Sequence, residues 1–189
     1  MSLNVNAIPL ITAFEAREGY PAGSLLNVML FETAGTLSPS VINRQSGAVG
    51  LLQFMPSTLR AMGYTTQQAA AMSVSDQLNK LVKPYLETYK RRVLSSGDWL
   101  DLYLSVLYPA AIGRPDNYVM FPPGTARYLQ NKGLDIDKDG DVEKGDVRTA
   151  FSRAVNAIRK RVNLPAFSFG GILPLILLIV IFSMTLIKN

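Results

Sequence analysis

The stretch from Leu25 to Met55, LLNVMLFETAGTLSPSVINRQSGAVGLLQFM, decides the fold. It falls into an apolar run with helical spacing that ends in a carboxylate, a polar loop, and a glycine-punctuated turn leading to Gln53 and Pro56. Leu25, Val28, Met29 and Glu32 stand at i, i+3, i+4 and i+7, so Glu32 shares the face of the apolar stripe. A carboxylate occupies the place where a leucine would complete that stripe. Gly35 is the natural stop, which sets Glu32 in the last helical turn, where the negative end of the helix dipole and the apolar neighbours both disfavour ionisation. Both effects raise its pKa toward that of a general acid. A carboxylate tip reaching out to solvent is the plain alternative, and position alone leaves both open.

Working outward, Ser24 is the expected N-cap of this helix, with Pro21 and Gly23 breaking the chain before it. Upstream, Leu10, Ile11 and Phe14 followed by Glu15, Arg17 and Glu18 predict a short packing helix within residues 1–22. No basic region followed by a long apolar run and a small-residue cleavage site stands there, so no secretory signal is expected. Downstream, Ser38, Ser40, Asn43, Arg44, Gln45 and Ser46 have loop composition suited to a ligand rich in hydroxyls and amides. Pro56 opens a helix over Ser57 to Met62. Between Gly19 and Ser75 the only acidic residue is Glu32. A two-carboxylate glycosidase would need its second acid from elsewhere in the chain, so the segment points to single-acid chemistry.

Composition narrows the chemistry. The 189 residues suit one domain with an appendage, and they include no cysteine and no histidine. Disulfides, thiol chemistry, the usual general base and the commonest zinc ligand are therefore absent, leaving carboxylates, hydroxyls, lysines or a non-zinc metal. A net charge of +5 fits an acidic polymer or a membrane surface. No run interleaves basic and aromatic residues, so nucleic acid is not an expected partner.

Glu32-Thr33 followed by Gly47, Ala48, Val49, Gly50, Leu51, Leu52, Gln53, Phe54, Met55 and Pro56 resembles the lytic transglycosylase family, whose pattern is Glu-Ser, then Gly-Ala-x-Gly-Leu-Met-Gln-x-Met-Pro. Thr33 keeps the hydroxyl of the family's serine, and Leu52 replaces its methionine. Tyr108, in Leu-Tyr-Pro-Ala-Ala-Ile-Gly-Arg-Pro, matches the tyrosine of the family's Ala-Tyr-Asn-Ala-Gly, with Pro109 in place of the asparagine, a variant similar to phage-encoded members that degrade cell walls. The resemblance covers about residues 20–121 and implies an all-α, lysozyme-like fold. It implies that Glu32 cleaves peptidoglycan strands between N-acetylmuramic acid and N-acetylglucosamine with closure of a 1,6-anhydro ring, and that Gln53, Tyr108, Ser46 and Thr33 contact substrate. A hydrolytic muramidase of the same fold, acting in infection or host lysis, is the first alternative. A non-enzymatic calcium-binding virion scaffold is the second.

Met72, Leu78, Leu81, Val82, Tyr85, Leu86 and Tyr89 predict helices over residues 64–100, with Lys80, Lys83, Lys90, Arg91 and Arg92 forming a basic, solvated face. Asp98 or Ser96 caps a further helix through Trp99, Leu102, Tyr103, Val106 and Leu107. Residues 135–146, DIDKDGDVEKGD, have EF-hand spacing. Asp135, Asp137 and Asp139 take loop positions 1, 3 and 5, Gly140 the turn at 6, the Asp141 carbonyl 7, Glu143 9 and Asp146 12. Calcium is the expected ion, and aspartate at the last position, one methylene short of the usual glutamate, also admits magnesium. A helix from Val147 to about Val162 follows.

From Phe167 to Ile187 no residue is charged, and a transmembrane helix is expected over 168–187. Arg159, Lys160 and Arg161 before it outnumber Lys188 after it, which would turn the domain toward the cytoplasm, away from peptidoglycan. A phage virion with an internal membrane, and other virion proteins as neighbours, removes that conflict. A bacterial inner membrane with the domain facing peptidoglycan is the alternative. The expected organisation is a packing segment (1–22), a catalytic domain (23–121), an EF-hand-like helical segment (122–162), and a linker with the membrane helix (163–189).

Overall fold

The computed structural model describes residues 2–167; the membrane helix expected over 168–187 lies outside them. Among the described residues no helix is long and apolar enough to cross a membrane. The chain is mainly helical: α1 (Ala7–Glu18), α2 (Ser24–Glu32), α3 (Pro56–Ala61), α4 (Thr66–Ala70), α5 (Val74–Gln77), α6 (Lys83–Ser96), α7 (Leu100–Leu107), α8 (Ala126–Asn131) and α9 (Lys144–Arg161). One departure from an all-α chain is a short antiparallel pair, β1 (Val119–Phe121) with β2 (Val142–Glu143). Its second strand is part of the EF-hand-like loop, so that loop is tied to the segment before it by backbone pairing.

Helix α2 is the centre of the core, packed by α1, α7 and α9. It is apolar nearly all round, and Leu25, Met29 and Leu30 are wholly buried. Each such side chain contributes about 1.5–3 kcal/mol of burial free energy. Ser24 is not its cap. Gly23, with φ of 79°, takes that place, and the Glu15 carboxylate of α1 accepts from the N–H groups of Gly23 (3.1 Å), Leu25 (2.6 Å) and Leu26 (3.0 Å). The orphan donors of the helix start are thus satisfied by a neighbouring helix. Burial pushes the Glu15 carboxyl up to about 7, against the pull of those three backbone donors.

The basic face expected over residues 64–100 is not simply solvated. Lys83 and Lys90 reach buried Glu18 at 3.0 and 2.8 Å, joining α6 to α1. A wide π-type turn over Leu78–Val82 links α5 to α6 and keeps Leu78, Leu81 and Val82 all inward. Pro56 opens α3 as its first residue, and α9 starts at Lys144, three residues before the expected Val147. That earlier start follows from a capping box, in which the Glu143 and Asp146 side chains exchange bonds with each other's backbone N–H.

Residues 122–162 pack back onto the domain through α9, whose Phe151 lies 4.3 Å from the Tyr103 ring and 5.3 Å from Phe31. Lys144 is 1 % exposed and bonds Asp101 at 2.7 Å, Asp98 at 2.8 Å and the Arg114 carbonyl at 2.9 Å. A lysine inside the acidic-loop sequence is therefore the staple that holds α9 to α7.

Candidate functional site

Glu32 is the last residue of α2. The helix ends there because the chain reverses through Ala34 and Gly35, both at positive φ (48° and 85°), while the Gly35 N–H returns to the Leu30 carbonyl at 2.7 Å. Only glycine fits at 35: a Cβ there would meet Ile158 Cγ2 of α9 at 2.9 Å. This close approach brings the end of α9 over the end of α2, and the Arg161 guanidinium closes the contact with a 2.6 Å bond to the Ala34 carbonyl.

A cleft of about 690 Å³ opens at this junction, with Glu32, Thr36, Asn43, Gln53, Arg161 and Asn163 among its walls. Among the described residues Glu32 is the sole carboxylate lining it. Burial pushes the Glu32 carboxyl up to about 7, and no described residue donates a hydrogen bond to it or offsets the shift by charge. A smaller hollow of about 170 Å³, lined by Gln53, Phe54, Thr58 and Tyr85, adjoins through Gln53.

The glycine-punctuated turn holds Gln53. Val49 bridges to both Ile42 and Phe54, making a small β-like wing. Gln53 sits at φ 48°, a costly conformation for a residue with a side chain, and its carboxamide nitrogen donates to the Gly50 (3.0 Å) and Val41 (3.3 Å) carbonyls. The carboxamide oxygen accepts from no side chain or backbone group among the described residues. Gly50 is required by Gln77, whose carboxamide would lie 2.4 Å from a Cβ there. Gln77 is wholly buried; it accepts from Leu51 N–H at 3.0 Å and donates to Pro39 and Ala69 carbonyls, both at 2.7 Å. This glutamine, invisible in the local sequence pattern, anchors the whole wing.

The remaining expected contacts divide. Thr33 lies on the cleft wall, but its buried hydroxyl donates to the Met29 carbonyl (2.6 Å) and accepts from Leu37 N–H (2.9 Å), so it shapes the turn. Ser46 is exposed, outside both hollows, and caps Ala48 N–H at 3.2 Å. Tyr108 lies in neither hollow; its ring packs edge-on to Phe121 at 5.4 Å with Arg127 over it at 5.7 Å. Two other phenols, Tyr85 and Tyr103, are close enough to Glu32 for its charge to help raise their pKa values, after burial. Tyr85 donates to the Ser105 carbonyl at 3.2 Å. The sequence carried a signal for both, since each sits on an apolar helical stripe as a large residue with a polar tip.

Asp98, Asp101 and Asp116, acids further along the sequence, are taken. Arg148 grips Asp98 with two bonds (2.9 and 2.8 Å) and Asp116 at 2.7 Å, while Lys144 holds Asp101. Burial alone would raise Asp98, but Arg148 and Lys144 override it and hold the carboxyl well below the usual range.

In the acidic loop, carboxylate oxygens of Asp135, Asp137 and Asp139 lie within 4.8 Å of one another, a group able to hold a metal ion. Asp135 also accepts from the Tyr128 hydroxyl at 2.9 Å and from Lys138 N–H at 2.7 Å. Asp146 accepts from Ile136 N–H at 3.2 Å and Glu143 N–H at 3.0 Å, closing the loop end to end. Asp141 Oδ1 is buried with no hydrogen-bond partner among the described residues, and burial followed by repulsion from the other aspartates raises its pKa. An all-oxygen donor set of this kind fits a hard divalent cation. No protein-family model matches the chain and no curated protein matches it, so the geometry of Glu32 and its cleft carries the functional reading.

Proposed function

We propose that this protein is a peptidoglycan lytic transglycosylase with a lysozyme-like fold. The observation that carries the reading is Glu32: a carboxyl on the wall of a large cleft, without a hydrogen-bond partner among the described residues and with its pKa pushed up to about 7. Such a group keeps its proton as pH falls below about 7 and can give it away or take it back near neutrality. Protonation of the oxygen between N-acetylmuramic acid and N-acetylglucosamine breaks the C1–O bond, with the acetamido group stabilising C1. The Glu32 carboxylate then takes the proton of the muramic C6 hydroxyl as that oxygen attacks C1. The acid returns to its starting form, and no water is consumed. Gln53, through its carboxamide oxygen, orients sugar hydroxyls beside the acid.

The ring-closing route is favoured over hydrolysis because Asp98, Asp101 and Asp116 are bound to Lys144 and Arg148 and do not serve as a water-activating base. An internal hydroxyl held beside C1 needs no such base. In the acidic loop, Asp135, Asp137, Asp139, Asp146 and the Asp141 carbonyl would hold Ca²⁺ or Mg²⁺, which supplies structural charge neutralisation. With residues 168–187 as a membrane anchor, the protein would act as a phage virion component that opens the wall for genome delivery. Mass spectrometry of muropeptides released by the full chain in mild detergent tests the chemistry. Fragments ending in 1,6-anhydro-N-acetylmuramic acid are expected; reducing-end muramic acid as the main product would make the enzyme a hydrolase.

A further inference from the structure

Among the described residues lining the Glu32 cleft, Arg161 is the sole cation, as Glu32 is the sole carboxylate. Arg161 is exposed, and it reaches the cleft from α9, across 127 residues of chain, by the 2.6 Å bond from Nη2 to the Ala34 carbonyl. That bond tethers the guanidinium at the cleft wall and leaves Nε and Nη1 without a protein acceptor among the described residues. Arg159, two residues earlier, is engaged differently: it turns inward to Asn27 and the Pro165 carbonyl, at 2.7 and 2.6 Å. Gly35 is what allows Arg161 to sit there, since a Cβ at that position would lie 3.2 Å from Nη2. Glu32 and Arg161 line the same cleft and no ion pair joins them among the described residues, so each is available to a different group of a bound ligand.

A neutral sugar polymer gives a fixed guanidinium nothing to pair with. Peptidoglycan does, because the muramic lactyl group carries a short peptide bearing free carboxylates. We propose that Arg161 is a specificity residue that binds a stem-peptide carboxylate, so that the enzyme prefers peptide-bearing glycan over bare glycan. The inference rests on the transglycosylase reading above. A guanidinium tethered by one N–H still offers its remaining N–H groups as a planar fork to a carboxylate, which a lysine cannot do.

The test compares three substrates with the full chain in detergent: glycan with intact stem peptides, the same glycan with its peptide carboxylates amidated, and glycan stripped of peptide by an amidase. Release of 1,6-anhydro product is followed for the wild type, Arg161→Lys and Arg161→Ala. For Arg161→Ala, KM on the intact substrate should rise about 10-fold with kcat within about twofold, while KM on the amidated and stripped substrates stays unchanged. Arg161→Lys should recover part of the difference. An equal rise in KM on all three substrates would mean that the residue only supports the turn at Ala34, and no rise on any would remove it from the binding site; either result overturns the inference. Wild-type preference that survives amidation would assign recognition to peptide bulk instead and overturn it too. A wild type that is inactive on all three defeats the transglycosylase reading itself, and the inference with it.

Discussion

Replacing Glu32 by glutamine should stabilise the protein at alkaline pH while abolishing its activity. The Glu32 carboxyl is raised from 4.5 to about 7 because burial disfavours its charge, so ionising it opposes folding. The sign follows from proton binding. Below about 4.5 the carboxyl is neutral in both folded and unfolded chains and contributes no penalty; between about 4.5 and 7 the unfolded chain loses its proton first and the penalty grows; above about 7 it is complete. A rise of this size corresponds to about 3 kcal/mol, or roughly 6–12 °C in Tm for a chain of this length. Glutamine keeps the shape and cannot ionise. The assay is urea denaturation of wild type and Glu32→Gln at pH 4.5, 6 and 8.5, with thermal melts in parallel. The two variants should be within about 0.5 kcal/mol of each other at the lowest pH and separate by about 3 kcal/mol at the highest, with the mutant the more stable. Glu15, whose carboxyl is also pushed up to about 7, is present in both and cancels in the difference. Turnover by the wild type should fall as pH rises through about 7, and the mutant should lose at least ~10²-fold in activity. A stability difference that does not change with pH would show that Glu32 is solvated in the folded protein, and the reasoning from burial to acid catalysis would fail.

Lys144→Met leaves the fully buried Asp101 without its cation, which should cost about 3–5 kcal/mol. Adding Asp101→Asn, which retains an acceptor for the Gly113 N–H at 2.8 Å, should restore part of it in chemical denaturation. Loss of less than about 1 kcal/mol in the single variant would place the pair in contact with solvent. Calcium should raise Tm and chelator lower it, because Asp135, Asp137 and Asp139 repel one another without a cation. At ~100 times Kd the gain would be about 2.7 kcal/mol. Superimposable melts in calcium, magnesium and chelator would reduce the loop to an acidic turn.

Features that depend on near neighbours in the chain were legible in the sequence. The apolar run from Leu25 to Phe31 set α2 with Glu32 in its last turn, though the helix is buried nearly all round rather than on one face; Gly35 marked the reversal, and Pro56 opened α3. The acidic loop was equally readable, since its oxygen atoms converge through a turn only a few residues long. Helix caps were less so: Ser24 had the right chemistry for a cap, but the carboxylate of Glu15, held nearby by α1, reached the same N–H groups. That two further tyrosines approach Glu32 was not readable: the packing of α6 and α7 brings Tyr85 and Tyr103 close enough for its charge to reach them, while Tyr108 packs edge-on to Phe121. The pairing of Asp98, Asp101 and Asp116 with Lys144 and Arg148, and the arrival of Arg161 at the cleft, join positions about 30 to 130 residues apart. Local periodicity says which face of a helix is buried but not what is buried against it. Desolvation and ion pairing, the two effects that give Glu32 its proton and deny it a second carboxylate, are properties of those distant neighbours, and only the tertiary structure decides them.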